Sequence, residues 1–129
     1  MSSQKRALGQ AGEQLAQRHL QAAGYEIVQT NWRCAHGEID IIARKDEVLV
    51  FVEVRTRRSR DQGGALEIAF MSLGARKQAQ LRKLAYHYLE QTGAEPDLWR
   101  IDVIAVGVSA DGRPIIEHME DALDWSDLG

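Results

Sequence analysis

The alternation of apolar and polar positions opens with a helix and then changes period. Leu8, Ala11, Gly12, Leu15, Ala16, His19 and Ala23 recur at the three- and four-residue spacing of one helical face, so residues 3–23 read as an amphipathic helix stopped by Gly24. Residues 26–33, 38–44 and 48–55 are rich in Val, Ile and Phe and read as strands. The last two flank Arg44-Lys45-Asp46-Glu47 in the manner of a hairpin. A Gly- and Arg-rich connection from Thr56 to Met71 leads to a second helix, with Ser72 as its expected N-cap and Thr92-Gly93 at its end. Residues 99–108 predict a further strand, Asp111-Gly112 a turn, and residues 114–116 a short last strand. Periodicity alone therefore gives an α/β fold with a mixed sheet, free of repeats and low-complexity stretches.

Charges inside the hairpin break this pattern. If Asp46-Glu47 is a two-residue turn, Lys45 closes against Val48 and Asp40 falls opposite Glu53. Glu38 and Arg55 then share the face of those two carboxylates, while Ile39, Ile41, Val50, Val52 and Val54 take the other. Burying a carboxylate is costly unless it is paired or holds a metal. Two facing carboxylates beside a cation suit a hard, oxygen-loving ion such as Mg²⁺ or Mn²⁺. The alternative is a structural ionic cluster in which Glu38 pairs with Arg55 and Asp40 caps a bend. A His36-Glu38-Asp40 site is a third arrangement, although zinc normally takes more His or Cys than the chain offers nearby.

Two residues on the helices bear on the same cluster. Lys77 shares a face with Leu81, Leu84 and Tyr88, so its ammonium either snorkels to water or reaches the carboxylates. Gln78 beside it is a candidate for placing a phosphate or water. Glu13 lies at the border of the first helix's apolar stripe, where Gly9 and Gly12 would let that helix approach the sheet closely.

Composition narrows the class. The chain has 129 residues, which suits one core; we expect a single domain over residues 1–116 followed by an acidic tail, 117–129. The net charge of −3 is concentrated in that tail. Its Glu117, Glu120, Asp121, Asp124 and Asp127 have no Lys or Arg among them, so residues 1–116 are slightly basic. Arg55, Arg57, Arg58 and Arg60 form one basic cluster, and Arg76, Lys77, Arg82 and Lys83 another. Such clusters contact phosphates or form solvated faces. No apolar run approaches the roughly 20 residues of a membrane span. Cys34 is the single cysteine, so no intramolecular disulfide forms and a reducing, cytoplasmic setting with no membrane partner is expected. Cys34 reads as a strand-end thiol, and Trp32, Trp99 and Trp125 as packing residues. Gly63-Gly64 is too poor a match for a nucleotide-phosphate loop.

Gly12-Glu13, Gly24-Tyr25, Asn31-Trp32-Arg33, Gly37-Glu38-Ile39-Asp40, Phe51-Val52-Glu53-Val54-Arg55 and Lys77-Gln78 together resemble the YraN-like family of small bacterial proteins, over about residues 4–106. The Asp40 and Glu53-x-Arg55 spacing is similar to the PD-(D/E)xK motif of restriction-endonuclease-like nucleases, which include archaeal Holliday-junction resolvases. The resemblance implies an αβββαβ core and a metal-dependent endonuclease. It implies Asp40, Glu53, Glu13 and the Val54 carbonyl as Mg²⁺ or Mn²⁺ ligands, and Asp40, Glu53, Arg55 and Lys77 as catalytic residues. Phosphate contacts would come from Arg57, Arg58, Arg60, Arg76, Gln78, Arg82 and Lys83. These contacts read no bases, so cutting selective for DNA structure is expected, and a two-fold homodimer would suit a branched duplex. Arg55 departs from the motif's lysine, and arginine cannot give up its proton to help activate water. A nucleic-acid-binding protein without activity, or a protein-interaction adaptor using the acidic tail and Trp125, is the other reading.

Overall fold

The computed structural model describes residues 2–59, 73–109 and 113–123. Elements follow in the order α1 (Ser2–Ala22), β1 (Glu26–Cys34), β2 (Gly37–Lys45), β3 (Val48–Ser59), α2 (Ala75–Thr92), β4 (Leu98–Ser109) and β5 (Pro114–Met119). This is the order that the change of period predicts. Arg60, Gly63-Gly64, Ser72, the Asp111-Gly112 turn and Trp125 lie outside the described residues. Within them α2 is capped by Gly74 and closes on Gly93 in the left-handed conformation.

The five strands form one mixed sheet in the order β1-β2-β3-β4-β5. Only β3 and β4 run parallel, since α2 lies between them in the chain and carries it back across the sheet. Each face of the sheet is covered. On one side Ala16 and Leu20 of α1 pack with Tyr25, Ile41, Ala43, Val50, Val52, Ile104 and Val106. On the other, Leu81, Leu84, Ala85 and Tyr88 of α2 pack with Trp32, Ile39, Ile42, Leu49, Phe51, Ile101 and Leu123. Burial on both faces explains why the central strands read as nearly continuous apolar runs. The stripe on α1 is narrower than its spacing suggests: Ala11 and Ala23 are exposed, and Leu20 is fully buried.

The β2–β3 hairpin closes as expected, with Lys45 paired to Val48. Asp46 and Glu47 both have positive φ, 50° and 70°, as a two-residue turn of the primed type requires. The ladder, however, runs only from that turn to Ile41↔Val52. At Asp40 the two strands part, and the Asp40 Oδ2 accepts the Val54 N–H at 2.8 Å. A side chain here takes an amide that the sheet would otherwise use. The parting corrects the expected apolar face: Ile39 packs on the α2 side with Trp32, whereas Ile41, Val50, Val52 and Val54 pack on the α1 side.

The acidic tail expected from Glu117 also needs correction. β5 continues to Met119, the Ala122 N–H donates to the Ile101 carbonyl at 2.8 Å, and Leu123 is buried in the α2-side core. Residues 117–123 are thus an edge strand and its return, part of the folded unit.

Candidate active site

The parting of β2 and β3 creates a gap in the middle of the sheet, and the carboxylates collect there. Asp40 and Glu53 stand at its two lips. Glu13 reaches it from α1 because a Cβ at Gly12 would overlap the Thr56 side chain; only a residue without one lets the helix come this close to β3. Gly9 has open space where its Cβ would stand, so the close approach rests on Gly12. Glu13, Glu38 and Asp40 each offer a carboxylate oxygen, and these oxygens lie within 4.8 Å of one another.

Such crowding shifts proton affinities. The Asp40 carboxyl is pushed up to about 8 by burial and by the neighbouring Glu53 and Glu13 carboxylates, against the opposing pull of the Val54 N–H. Glu13 is raised by burial and by Glu38, with a hydrogen bond from Asn31 acting the other way. Carboxylates that cannot all be charged at neutral pH form a donor set of oxygens alone, which fits Mg²⁺ or Mn²⁺ better than zinc. Residues 53–54 add a further donor: a strand residue directs its N–H and C=O to the same side, so the Val54 carbonyl turns toward the gap that its N–H enters.

Lys77 meets the cluster from the α2 side. Its Nζ stands 3.1 Å from Glu53 Oε2, with the side chains 37% and 12% exposed. The face it shares with Leu81, Leu84 and Tyr88 is the buried face of α2, and of the two outcomes open to it, the ammonium reaches the carboxylates. Arg55, two residues beyond Glu53, is in register with Ala105 of β4.

A cleft of about 750 Å³ opens over the carboxylates on the α1 side. Its lining includes Glu13, Asp40, Glu53, Val54 and Thr56, with the cations Lys5, Arg57 and Arg58. Lys5, from the first turns of α1, is a cation that the sequence pattern did not single out; only its place opposite the end of β3 marks it. Arg55 and Lys77 are not among the described residues lining this cleft.

Several expected contacts go elsewhere. Glu38 pairs with Arg33 of β1 at 3.1 Å, whereas the alternative of a structural ionic cluster pairs it with Arg55. His36 stacks on His87 at 4.2 Å between ring centroids, and Glu13 completes the carboxylate triad in its place. Gln78 donates to the Leu73 carbonyl at 3.0 Å, bracing the start of α2. Arg76 and Lys83 are exposed on α2, and Arg82 is half-buried. Cys34 ends β1, where its Sγ accepts the His36 N–H at 3.4 Å. Trp32 and Trp99 pack edge-on against Tyr88 and Phe51.

A second charged cluster escaped the sequence pattern. Asp102 of β4 is fully buried beneath the C-terminal end of α1. Its carboxylate accepts from Arg100 Nε at 2.9 Å, His118 Nε2 at 2.7 Å and the Asp121 N–H at 3.0 Å. It is structural in setting, away from the cleft.

Comparison with known proteins places the chain among relatives of the same size. It is 44% identical over 126 residues to a UPF0102 protein of Roseiflexus castenholzii, covering 96% of this chain and 98% of that protein. It is 44% identical over 116 residues to one of Rhodococcus jostii, covering 90% and 95%, and 44% identical over 119 residues to one of Chloroflexus aurantiacus, covering 92% of each. Among solved structures, Pyrococcus furiosus SfsA in complex with Ca²⁺ is similar with a TM-score of 0.39 and 15% identity. That match covers 90% of this chain but only 63% of SfsA. The model of uncharacterised protein family UPF0102 matches residues 12–106, and the chain belongs to that family.

Proposed function

We propose that this chain is an Mg²⁺- or Mn²⁺-dependent endonuclease with a restriction-endonuclease-like core, similar to Holliday-junction resolvases. It would act on the phosphodiesters of structured DNA without reading sequence. The observation that carries this reading is the meeting of Glu13, Asp40 and Glu53 under a cleft with basic residues on its walls, with Lys77 bound to Glu53. A bound divalent ion would supply Lewis acidity there, lowering the pKa of a water and neutralising phosphate charge.

The chain's own residues do the rest. Asp40, Glu53 and Glu13 hold the ion, with the Val54 carbonyl beside them. Lys77 fixes Glu53 and brings an ammonium to the position that Arg55 leaves without one. Arg57, Arg58 and Lys5 grip the phosphates flanking the scissile bond, and Arg55 stabilises developing negative charge. Two copies around a two-fold axis would present two such clefts to a branched substrate.

The test is cleavage of branched, linear and single-stranded substrates by the purified protein with Mg²⁺ or Mn²⁺. Asp40→Asn and Glu53→Gln are expected to cut at least about a hundredfold more slowly while still binding DNA, and Lys77→Met should lose more activity than Arg55→Lys. Arg55 in the motif position favours one rival, a binder without catalysis. Retention of DNA with no cleavage of any substrate by the wild type would establish that rival.

A further inference from the structure

Asn31 sits in the strand β1 with φ 52°, the left-handed region that asparagine enters more readily than other side chains. It lies between the pairs Thr30↔Ile41 and Trp32↔Ile39, and so stands across from Asp40, at the level where β2 leaves β3. With its amide nitrogen turned toward the carboxylates, it donates to Glu38 Oε1 at 2.7 Å and Glu13 Oε2 at 3.2 Å. Carboxylate oxygens accept only, and this orientation is the one that satisfies both. The second Glu38 oxygen takes Arg33 Nε at 3.1 Å. Asn31 and Arg33, two residues apart on β1, thus hold Glu38 from one side, and the Asn31 amide ties it to a helix distant in sequence.

We infer that Asn31 is a positioning residue of the metal centre, bridging Glu13 and Glu38 so that both carboxylates join Asp40 in one donor set. This rests on the metal-dependent reading above. A neutral amide with two N–H donors suits the task, because it draws two like charges together without competing for the cation. The unusual backbone of residue 31 is what turns its side chain out of the strand's alternation and toward both carboxylates. Glu38 enters the donor set as a consequence.

The experiment measures Mn²⁺ binding to the full chain by titration calorimetry. Asn31→Gly retains a residue at ease with positive φ and removes the amide. It is expected to weaken Mn²⁺ about tenfold or more. In a Glu13→Ala/Glu38→Ala background the same change should alter affinity less than about twofold, because its partners are gone. In cleavage, the Mn²⁺ needed for half-activation should rise while the rate at saturating Mn²⁺ holds within a few-fold. A cooperative thermal melt verifies folding. Should the glycine variant not fold, Asn31→Ala, likewise neutral and without the amide, replaces it under the same dependence on background. Unchanged affinity in Asn31→Gly, or an equal loss in both backgrounds, overturns the positioning role and leaves the nuclease reading intact. A wild type that binds no Mn²⁺ overturns both.

Discussion

At the scale of single residues, Asp40 concentrates the chemistry. Its carboxyl titrates near 8 against an ordinary 3.8, so the folded state keeps a proton that the unfolded chain releases. Such a group's contribution to stability is complete below its unfolded pKa and is lost as pH rises through the folded one. The metal-free protein should therefore lose stability between about pH 4 and pH 8 on account of this residue. Asp40→Asn removes the loss and should stabilise the apo-protein at pH 8 by about 1–3 kcal/mol. Mn²⁺ should raise the melting temperature of the wild type more at pH 8 than at pH 6, and leave Asp40→Asn nearly unmoved. Melts with chelator or Mn²⁺ at the two pH values measure all three quantities. Equal Mn²⁺ shifts at both pH values would mean that no carboxylate proton is displaced. Asp40 and Glu53 were legible in the sequence because their charge interrupts apolar strands. Asn31 was not, because a polar residue on an edge strand looks ordinary and its left-handed φ leaves no compositional trace.

At the scale of elements, strand register was readable to the point where a side chain replaces the ladder. Lys45↔Val48 follows from the turn residues, whereas the parting at Asp40 depends on one carboxylate reaching one amide, a contact that no period encodes. The seating of α1 was partly readable, since Gly12 beside Glu13 suggests close approach, but spacing could not separate Gly12 from Gly9. Gly12→Ala tests that seating. Alanine favours a helix by about 1 kcal/mol over glycine, yet its Cβ would overlap Oγ1, Cγ2 and Cβ of Thr56, which is held in β3 by pairing with Val106 of β4. Overpacking of this kind costs about 1–3 kcal/mol. The variant should be less stable by denaturant titration and should bind Mn²⁺ more weakly as Glu13 moves away. Adding Thr56→Ala removes two of the three clashing atoms and should restore part of both losses. A stabilised Gly12→Ala would show that the helix seats more loosely.

At the scale of the whole molecule, the buried network around Asp102 joins elements from both ends of the chain. Asp102, Arg100, His118 and Tyr25 link β4, β5 and the loop after α1, and His19 of α1 lies with Nε2 3.3 Å from His118 Nδ1. The pattern gave β4 as an apolar strand and passed over Asp102, since one acid in such a run is visible but two of its partners, 16 and 19 residues away, are not. The Asp102 carboxylate accepts only, so His118 Nε2 must donate to it, and the two imidazoles share the remaining proton position between Nδ1 and Nε2. A second proton on this pair would set like charges face to face. His19 is held below its ordinary value of 6.5 by burial and by His118, so the unfolded chain takes up that proton first as pH falls. The contribution of His19 to stability then declines with acidity from about pH 6.5 downward. For a side chain in part exposed, the decline is at most about 1 kcal/mol. His19→Gln keeps a donor for His118 Nδ1 and cannot be charged. Urea titrations at pH 7.5 and pH 5.0 should show His19→Gln gaining stability relative to the wild type at the lower pH, with the two proteins converging at the higher pH. Equal differences would place the acid sensitivity outside this pair. Because Asp102 itself is lowered by His118, Arg100 and the Asp121 N–H against the cost of burial, its own contribution persists through this range. It is lost only as pH falls through its depressed folded value, and the contribution of Asp40 is common to both proteins, so the gap that opens between them from pH 7.5 to pH 5.0 reports the histidine pair that fastens the end of α1 to β5.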